Sequence, residues 1–351
     1  SQDVPEILRQ RMLKLESYID KSQWPSQVTA TLNGIQAIDD YTAKNRAAEE
    51  KRYEDAYPFH PALIETLYQK WTQLEGFQQT RGILKTLASA LRDAVKWDKQ
   101  SLIGMQVFLS APDSEGLSVA AREMANVAQL EQYEGRRQNW TAILEAELAH
   151  ARKAQEGLLG VQQREIEQAV MSTFLHSQPI GQRATTRDLK VLIGVGSPDK
   201  IELEKGLTRW SGVSWYLDDT FTSDREAGLP KVWRLGSKPN LKQMHHDARQ
   251  NVSATNVDAV LEEEIRKAKA LTDGARGAGA RIHVLPARPA DIEDDGEFHY
   301  AVLGPKAASN GKPSAEARRY IDETTGSDKP RAQNRNAVVL AVPSGDGIAV
   351  A

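Results

Sequence analysis

From Pro5 to about residue 155, apolar side chains recur at helical spacing, so this half of the chain is predicted to be helix throughout. Pro5 suits the first turn of a helix carrying Ile7, Leu8, Met12, Leu13 and Leu15. Pro25 opens a long segment through Glu49. Pro61 opens another, with Leu63, Ile64, Leu67, Tyr68 and Trp71 on one face. Thr80 is placed to cap the next helix, whose stripe is Ile83, Leu84, Leu87, Leu91 and Val95. Leu117 to Ala154 reads as one or two long helices, with Leu144 and Leu148 on one face and a solvated outer face.

The pattern changes after residue 160. A helix from Ile166 to Leu175 is followed by a Pro/Gly turn, a short helix at Thr186–Leu192, a Gly-rich turn and a helix from Pro198 to Trp210. Val213–Phe221 and Lys231–Leu235 read as two strands around a loop at Thr222–Gly228. Three helices followed by a β-hairpin is the order of a winged helix-turn-helix. Pro239 to about Ala270 reads as helix, and Gly274, Gly277 and Gly279 mark a break. Strands at Ile282–Leu285 and Phe298–Leu303, a helix at Ser314–Glu323 and a well-buried strand at Ala337–Val342 follow. The expected class is α+β, mainly α. A helical lid-like bundle spans 1–155, a winged helix 156–250, and a helix with an α/β segment, incomplete at its end, 251–351. Ser1 in place of methionine, and Gly347–Ala351 directly after a strand-like run, suggest cut ends.

With 351 residues, 40% hydrophobic and 26% charged, the chain can bury a sizeable core. Its net charge of −3 gives no global attraction to nucleic acid or anionic membrane, so any DNA contact needs a local patch. It has no cysteine, which excludes disulfides and cysteine-ligated metal centres and fits a cytoplasmic setting. No apolar run approaches a membrane span, and no signal-peptide pattern is present.

One cation stands at a position where chemistry is expected. Arg81 follows Phe77-Gln78-Gln79-Thr80 at the mouth of a helix, where unpaired N–H groups favour anions and a guanidinium fork matches phosphate. Pairing with Glu75 is the ordinary alternative, and spacing alone favours it. Tyr57-Pro58-Phe59-His60-Pro61, a helix with Leu67-Tyr68, and then Phe77-Gln78-x-Thr80-Arg81-Gly82-x-Leu84-x-x-Leu87-Ala88 resemble the helical lid of a family of prokaryotic AAA+ ATPases. These are large proteins of unassigned function, often encoded in phage-defence and restriction loci, BREX-type ones included. Trp215-Tyr216-Leu217 and Lys238-Pro239-Asn240-Leu241 resemble, more loosely, the winged-helix end of that family. Asn334-Arg335-Asn336 before Val338-Val339-Leu340 is also similar to a family pattern. The resemblance implies that Arg81 senses the terminal phosphate of ATP. ATP and Mg²⁺ would belong to the full-length protein, whose P-loop core would be the first partner of this segment, with defence-system proteins or DNA as further partners.

The chain departs from the family in lacking a P-loop. Such a loop needs Gly-x4-Gly-Lys-Ser/Thr between a strand and a helix. In Gly304 to Ser314 six residues separate the glycines, and Pro313 replaces the hydroxyl residue and removes an N–H, so the stretch reads as a polar surface loop. Gly194-Val195-Gly196 lacks the third glycine of a dinucleotide fingerprint and reads as a structural turn. In the expected winged helix, Asp199, Glu202 and Glu204 balance Lys200, Lys205 and Arg209, and Asp218, Asp219, Asp224 and Glu226 make the wing acidic. Structural or protein-contact use is therefore favoured over DNA reading by the wing. Arg183, Arg187, Lys190, Lys231, Arg234 and Lys238 are the candidates for touching a nucleic-acid backbone. His245 and His246 are adjacent, so on a helix they diverge. His60 reads as a helix-entry residue, and Asp291, Glu293, Asp294 and Asp295 as a solvated turn. Trp71, Trp210, Trp215 and Trp233 read as core. No metal site and no catalytic residue are expected.

The functional expectation is the lid and winged-helix portion of an AAA+-like ATPase. It would couple nucleotide state to protein or DNA in anti-phage defence, and would be inactive as an ATPase by itself. The alternative is a stand-alone winged-helix regulator that binds DNA or protein.

Overall fold

The computed structural model describes residues 4–14, 16–131, 139–222, 224–325, 329–331 and 333–350. It is an α+β protein, mainly helical, and the chain divides into two compact units, Ser1–His246 and Asp247–Ala351. Among the described residues, no helix is long and apolar enough to cross a membrane.

The first unit opens with α1 (Val4–Met12), α2 (Glu16–Ile19), α3 (Trp24–Ile38), α4 (Asp40–Lys44), α5 (Arg46–Ala56), α6 (Pro61–Gln69) and α7 (Gln79–Ala94). Leu15 lies outside the described residues. The helix expected from Pro25 to Glu49 is three helices. The Asp39 carboxylate accepts from the Thr42 amide at 3.0 Å and starts α4, and Asn45 ends it. The stripe on α7 is as expected at Ile83 and Leu87, both fully buried, but Val95 is 77% exposed at the helix end. The stretch expected as one or two long helices holds α8 (Val119–Val127) and α9 (Trp140–Gln155); its residues 132–138 lie outside the described residues.

α10 (Glu165–His176) follows, and all twelve of its residues are buried. It packs against α6, α9 and the two helices that follow it, α11 (Thr186–Ile193) and α12 (Lys200–Val213). A helix buried on every side must find partners for its polar groups within the protein, and here most of them do, although Ser172 Oγ and His176 Nε2 have none among the described residues. Glu167 accepts from Arg152 at 2.8 Å and Arg164 at 2.7 Å, and the Thr173 hydroxyl donates to the Ala169 carbonyl at 2.7 Å. The boundary expected near 155 falls between α9 and α10, which pack together within one unit.

β1 (Ala184–Thr185), α11 (Thr186–Ile193), α12 (Lys200–Val213), α13 (Asp219–Thr222), β2 (Arg225–Glu226), β3 (Leu229–Pro230) and β4 (Val232–Trp233) come next. β1 pairs antiparallel with β4, and an antiparallel bridge joins Leu217 to Leu235. The expected strand at Val213–Phe221 is reduced to that bridge. The amides of Trp215 and Tyr216 donate to Glu147 rather than to a neighbouring strand, and Asp218 accepts from the Thr220 amide and turns the chain into α13. Gly194–Gly196 forms the tight turn between α11 and α12. It lies so close to α3 that a Cβ on Gly34 would stand 2.7 Å from the Gly194 carbonyl oxygen, which accounts for a glycine inside α3. Trp71, Trp210 and Trp233 are core residues, and Trp210 stacks on Trp233 at 5.5 Å. Trp215 is only partly buried, its ring 4.6 Å from His150 and 5.1 Å from His246.

α14 (Leu241–Asn251), α15 (Ala254–Lys267) and α16 (Ala270–Gly277) follow, so Gly274 and Gly277 lie within a helix rather than marking a break. In the second unit β5 (Arg281–Val284), β6 (His299–Val302) and β9 (Val338–Ala341) form a parallel sheet in the order β5-β6-β9. α17 (Ala315–Asp322) packs over a core of Ile292, Ala301, Leu303, Ala307, Tyr320 and Val338. β7 (Glu323–Thr325) and β8 (Lys329–Pro330) pair antiparallel, and α18 (Gly345–Val350) ends the described chain. β9 is an edge strand with Val339 43% exposed, so the expectation of a well-buried strand holds only at Val338.

Candidate functional site

Each residue of Tyr57–Pro61 is fixed by a tertiary contact. Arg9 Nη1 donates to the Tyr57 carbonyl at 2.8 Å, and the Ile103 amide to the Pro58 carbonyl at 2.7 Å. Phe59 is fully buried. The His60 amide donates to the Ile103 carbonyl at 2.9 Å, and Pro61 opens α6. The Ala62 amide donates to His60 Nδ1 at 3.2 Å, so the ring proton sits on Nε2. Nε2 then donates to the Val191 carbonyl of α11 at 3.1 Å and lies 3.0 Å from the Tyr53 hydroxyl. His60 is thus the N-cap of α6 and also joins it to α11.

Two more bonds tie this segment to the central helix. Trp71 Nε1 donates to the Leu175 carbonyl at 2.8 Å. Lys70 Nζ donates to the carbonyls of His176 and Arg183, each at 3.0 Å, and so satisfies the C-terminal end of α10. Burial holds the Lys70 ammonium below its usual range.

The chain then turns sharply into α7. Gln78 and Gln79 have φ of 59° and 50°, and the helix begins at Gln79. Thr80 is therefore inside the helix and is not its cap. Gly82 lies against the preceding turn: a Cβ there would stand 1.6 Å from the Phe77 carbonyl oxygen. These contacts place Arg81 in the first turn of α7, exposed. Among the described residues it has no hydrogen-bond or ion-pair partner, Glu75 included. A free guanidinium beside unsatisfied N–H donors is an arrangement that accepts an anion.

The six proposed nucleic-acid contacts are placed differently. Arg187 pairs with Asp39 at 3.3 Å and lies 4.1 Å from the Tyr41 ring. Lys190 pairs with Glu204 at 2.7 Å and Lys231 with Asp224 at 3.1 Å. Arg234 is held by Glu131 and by Asp218 at 2.7 Å, with 15% of its side chain exposed. Arg183 lies over the Phe221 ring, and Lys238 is exposed with no ion pair among the described residues. The structure does not gather the six into one free patch, because four are already matched to carboxylates. Those partners come from other elements, which local charge counting does not reveal.

Sequence reasoning also missed Glu147. One residue of a stretch read as charged around a Leu144–Leu148 face, it is completely buried. It accepts from Trp210 Nε1 at 2.8 Å, the Trp215 amide at 2.8 Å and the Tyr216 amide at 3.0 Å. In the second unit the acidic turn is committed to side-chain partners. Asp291 pairs with Arg288, and Glu293 and Asp295 pair with Arg281. Asp295 also accepts from His299, whose hydrogen bond holds that carboxyl down to about 2. Among the described residues, no group of three or more acidic or histidine side chains could hold a metal ion. A cleft of about 660 Å³ between α1, α5 and α6 is lined by Arg9, Arg52, Glu65 and Tyr68. Its arginines are committed to Glu6, Glu49 and Glu65, and Arg81 does not line it.

Buried titratable groups make the first unit sensitive to acid. Burial holds His60 down to about 3, the Arg52 charge adds to this, and the bond to Val191 opposes it. Burial, then Lys70, holds His176 down to about 4. Burial pushes Glu165 up to about 7. Below pH ~6.5 the unfolded chain takes up protons on both histidines and the folded chain does not. Stability therefore falls with pH by up to about 1.4 kcal/mol per unit for each histidine. Glu165 acts in the opposite sense between about pH 4.5 and 7, where the folded state alone keeps its proton, and it offsets roughly one histidine. The urea midpoint should fall from pH 6.5 to 4, most steeply below about 4.5, and His60→Gln should flatten the profile. A midpoint independent of pH over that range would contradict the assignment.

No protein-family model, no curated protein and no solved structure matches this chain.

Proposed function

We propose that the first unit is a nucleotide-responsive lid joined to a winged helix, forming part of an AAA+-like ATPase of anti-phage defence. The observation that carries this proposal is Arg81, exposed in the first turn of α7 with no hydrogen-bond or ion-pair partner among the described residues. Its fork would meet the terminal phosphate of a Mg²⁺–ATP bound on a P-loop core, since the chain itself holds no P-loop. α10, β1, α11, α12, the Leu217 position and β4 follow the order of a winged helix-turn-helix, with the first and last strands paired. Movement of α7 would be passed on through His60, Lys70 and Trp71, which bond directly to α10 and α11. The acidic pairing of Arg187, Lys190, Lys231 and Arg234 favours a protein partner for the winged helix over a DNA backbone. The test is ATP turnover by the full-length protein carrying Arg81→Ala.

A further inference from the structure

We infer that the outward stripe of α7 (Lys85, Arg92 and Lys96, continuous with Arg81) is a seat for the phosphate backbone of a nucleic acid. The inference goes beyond the nucleotide role of Arg81 and does not depend on it. Positions 81, 85, 92 and 96 are separated by four, seven and four residues, so on a helix they fall within a sector of roughly 60°. α7 ends at Ala94, but the Val95 amide still donates to the Leu91 carbonyl at 3.0 Å and the Lys96 amide to the Asp93 carbonyl at 3.3 Å, so Lys96 sits in the tight turn that closes the helix and extends the row set by Arg81, Lys85 and Arg92. From Lys85 to Lys96 the row is about 16 Å long, and from Arg81 about 22 Å. All four cations are exposed, as are Ala88 and Val95 between them, and no carboxylate of α7 interrupts the row.

The rest of the unit is unlike this stripe. Among its described arginines, only Arg11, Arg81 and Arg92 have no hydrogen bond, ion pair or ring contact. Among the described residues the one ion pair the stripe makes is Lys85 with Glu123, 3.8 Å from a lysine side chain that is 70% exposed, a pairing too loose to neutralise it, and Asp93, next to Arg92, points about 100° around the helix from it. The helix dipole explains cations in the last turn, such as Arg92, but disfavours Arg81 and Lys85 in the first half. A protein partner would need a buried aromatic or apolar anchor, and the stripe offers only Val95 and Ala88. A linear row of one sign, without such an anchor, fits a chain of phosphates.

The test is fluorescence anisotropy of labelled single- and double-stranded 30-mers with the 351-residue chain, between 50 and 200 mM salt. The expected result is salt-dependent binding. Lys85→Glu/Arg92→Glu/Lys96→Glu should weaken it at least about tenfold and lower the log–log salt slope by about two to three. Lys200→Glu/Lys205→Glu, which reverses two exposed cations of α12, should change it less than about twofold. Circular dichroism melting confirms that each variant is folded. Absence of wild-type binding to either oligonucleotide at 50 mM salt overturns the inference, and is the result expected if an acidic protein occupies the stripe. Equal binding by the α7 triple variant, or equal loss in the α12 variant, also overturns it. Arg81 is unchanged in every variant, so failure here leaves its nucleotide role standing.

Discussion

Glu147→Ala is expected to destabilise the first unit by about 3–5 kcal/mol, the largest effect of any single substitution considered. Glu147 is fully buried and accepts three bonds at the junction of α9, α12 and the chain entering α13. Its removal leaves Trp210 Nε1 and the Trp215 amide without an acceptor, each at a cost of about 1–3 kcal/mol, and opens a cavity beneath the stacked Trp210–Trp233 pair. The Tyr216 amide keeps the Ser214 hydroxyl at 3.3 Å. Glu147→Gln should recover about half the loss, because an amide oxygen can still accept but its NH2 faces a donor. All seven tryptophans lie at or before Trp233, so urea unfolding followed by tryptophan fluorescence reports the first unit alone. A loss below about 1 kcal/mol for Glu147→Ala would show that these donors find other acceptors.

Gly82→Ala should cost about 2–4 kcal/mol, although alanine is the better helix former. The new Cβ would stand 1.6 Å from the Phe77 carbonyl oxygen and 2.9 Å from the Phe77 ring, against a buried residue of the turn before α7. The obstructing atom is backbone, so the helix start must move rather than a side chain. Arg81 is the adjacent residue, so the same substitution should displace its guanidinium and, on the proposed reading, lower the turnover of the ATPase to which this chain would belong. Wild-type stability in Gly82→Ala would mean that α7 does not start in this tight turn.

The parts of the fold that were legible in the sequence are those with local causes. Pro61 at the start of α6, the stripe Ile83–Leu87, the short helix after Thr185 and the β5, β6, α17, β9 succession follow from periodicity and caps. What was not legible depends on distant partners. Nothing in the local sequence singles out Glu147, whose donors, Trp210 and Trp215, lie more than 60 residues away. Glu147 also takes up the Trp215 and Tyr216 amides, which a strand at Val213–Phe221 would have used. Arg234 reads as a free cation until Glu131 is placed beside it. For the site, the motif around Arg81 was visible, whereas its freedom from Glu75 and its continuity with Lys85, Arg92 and Lys96 required the helix register and the surrounding carboxylates.

The central proposal is that Arg81 reads a nucleotide phosphate, and steady-state ATP turnover of the AAA+-like protein proposed to contain this chain tests it most directly. Arg81→Ala should lower kcat by at least about tenfold with an unchanged unfolding midpoint, because one charge-assisted donor to the transferring phosphate is lost and no fold contact is broken. Arg81→Lys should recover only part of the loss, since it keeps the charge without the fork. Wild-type turnover in Arg81→Ala would contradict the account.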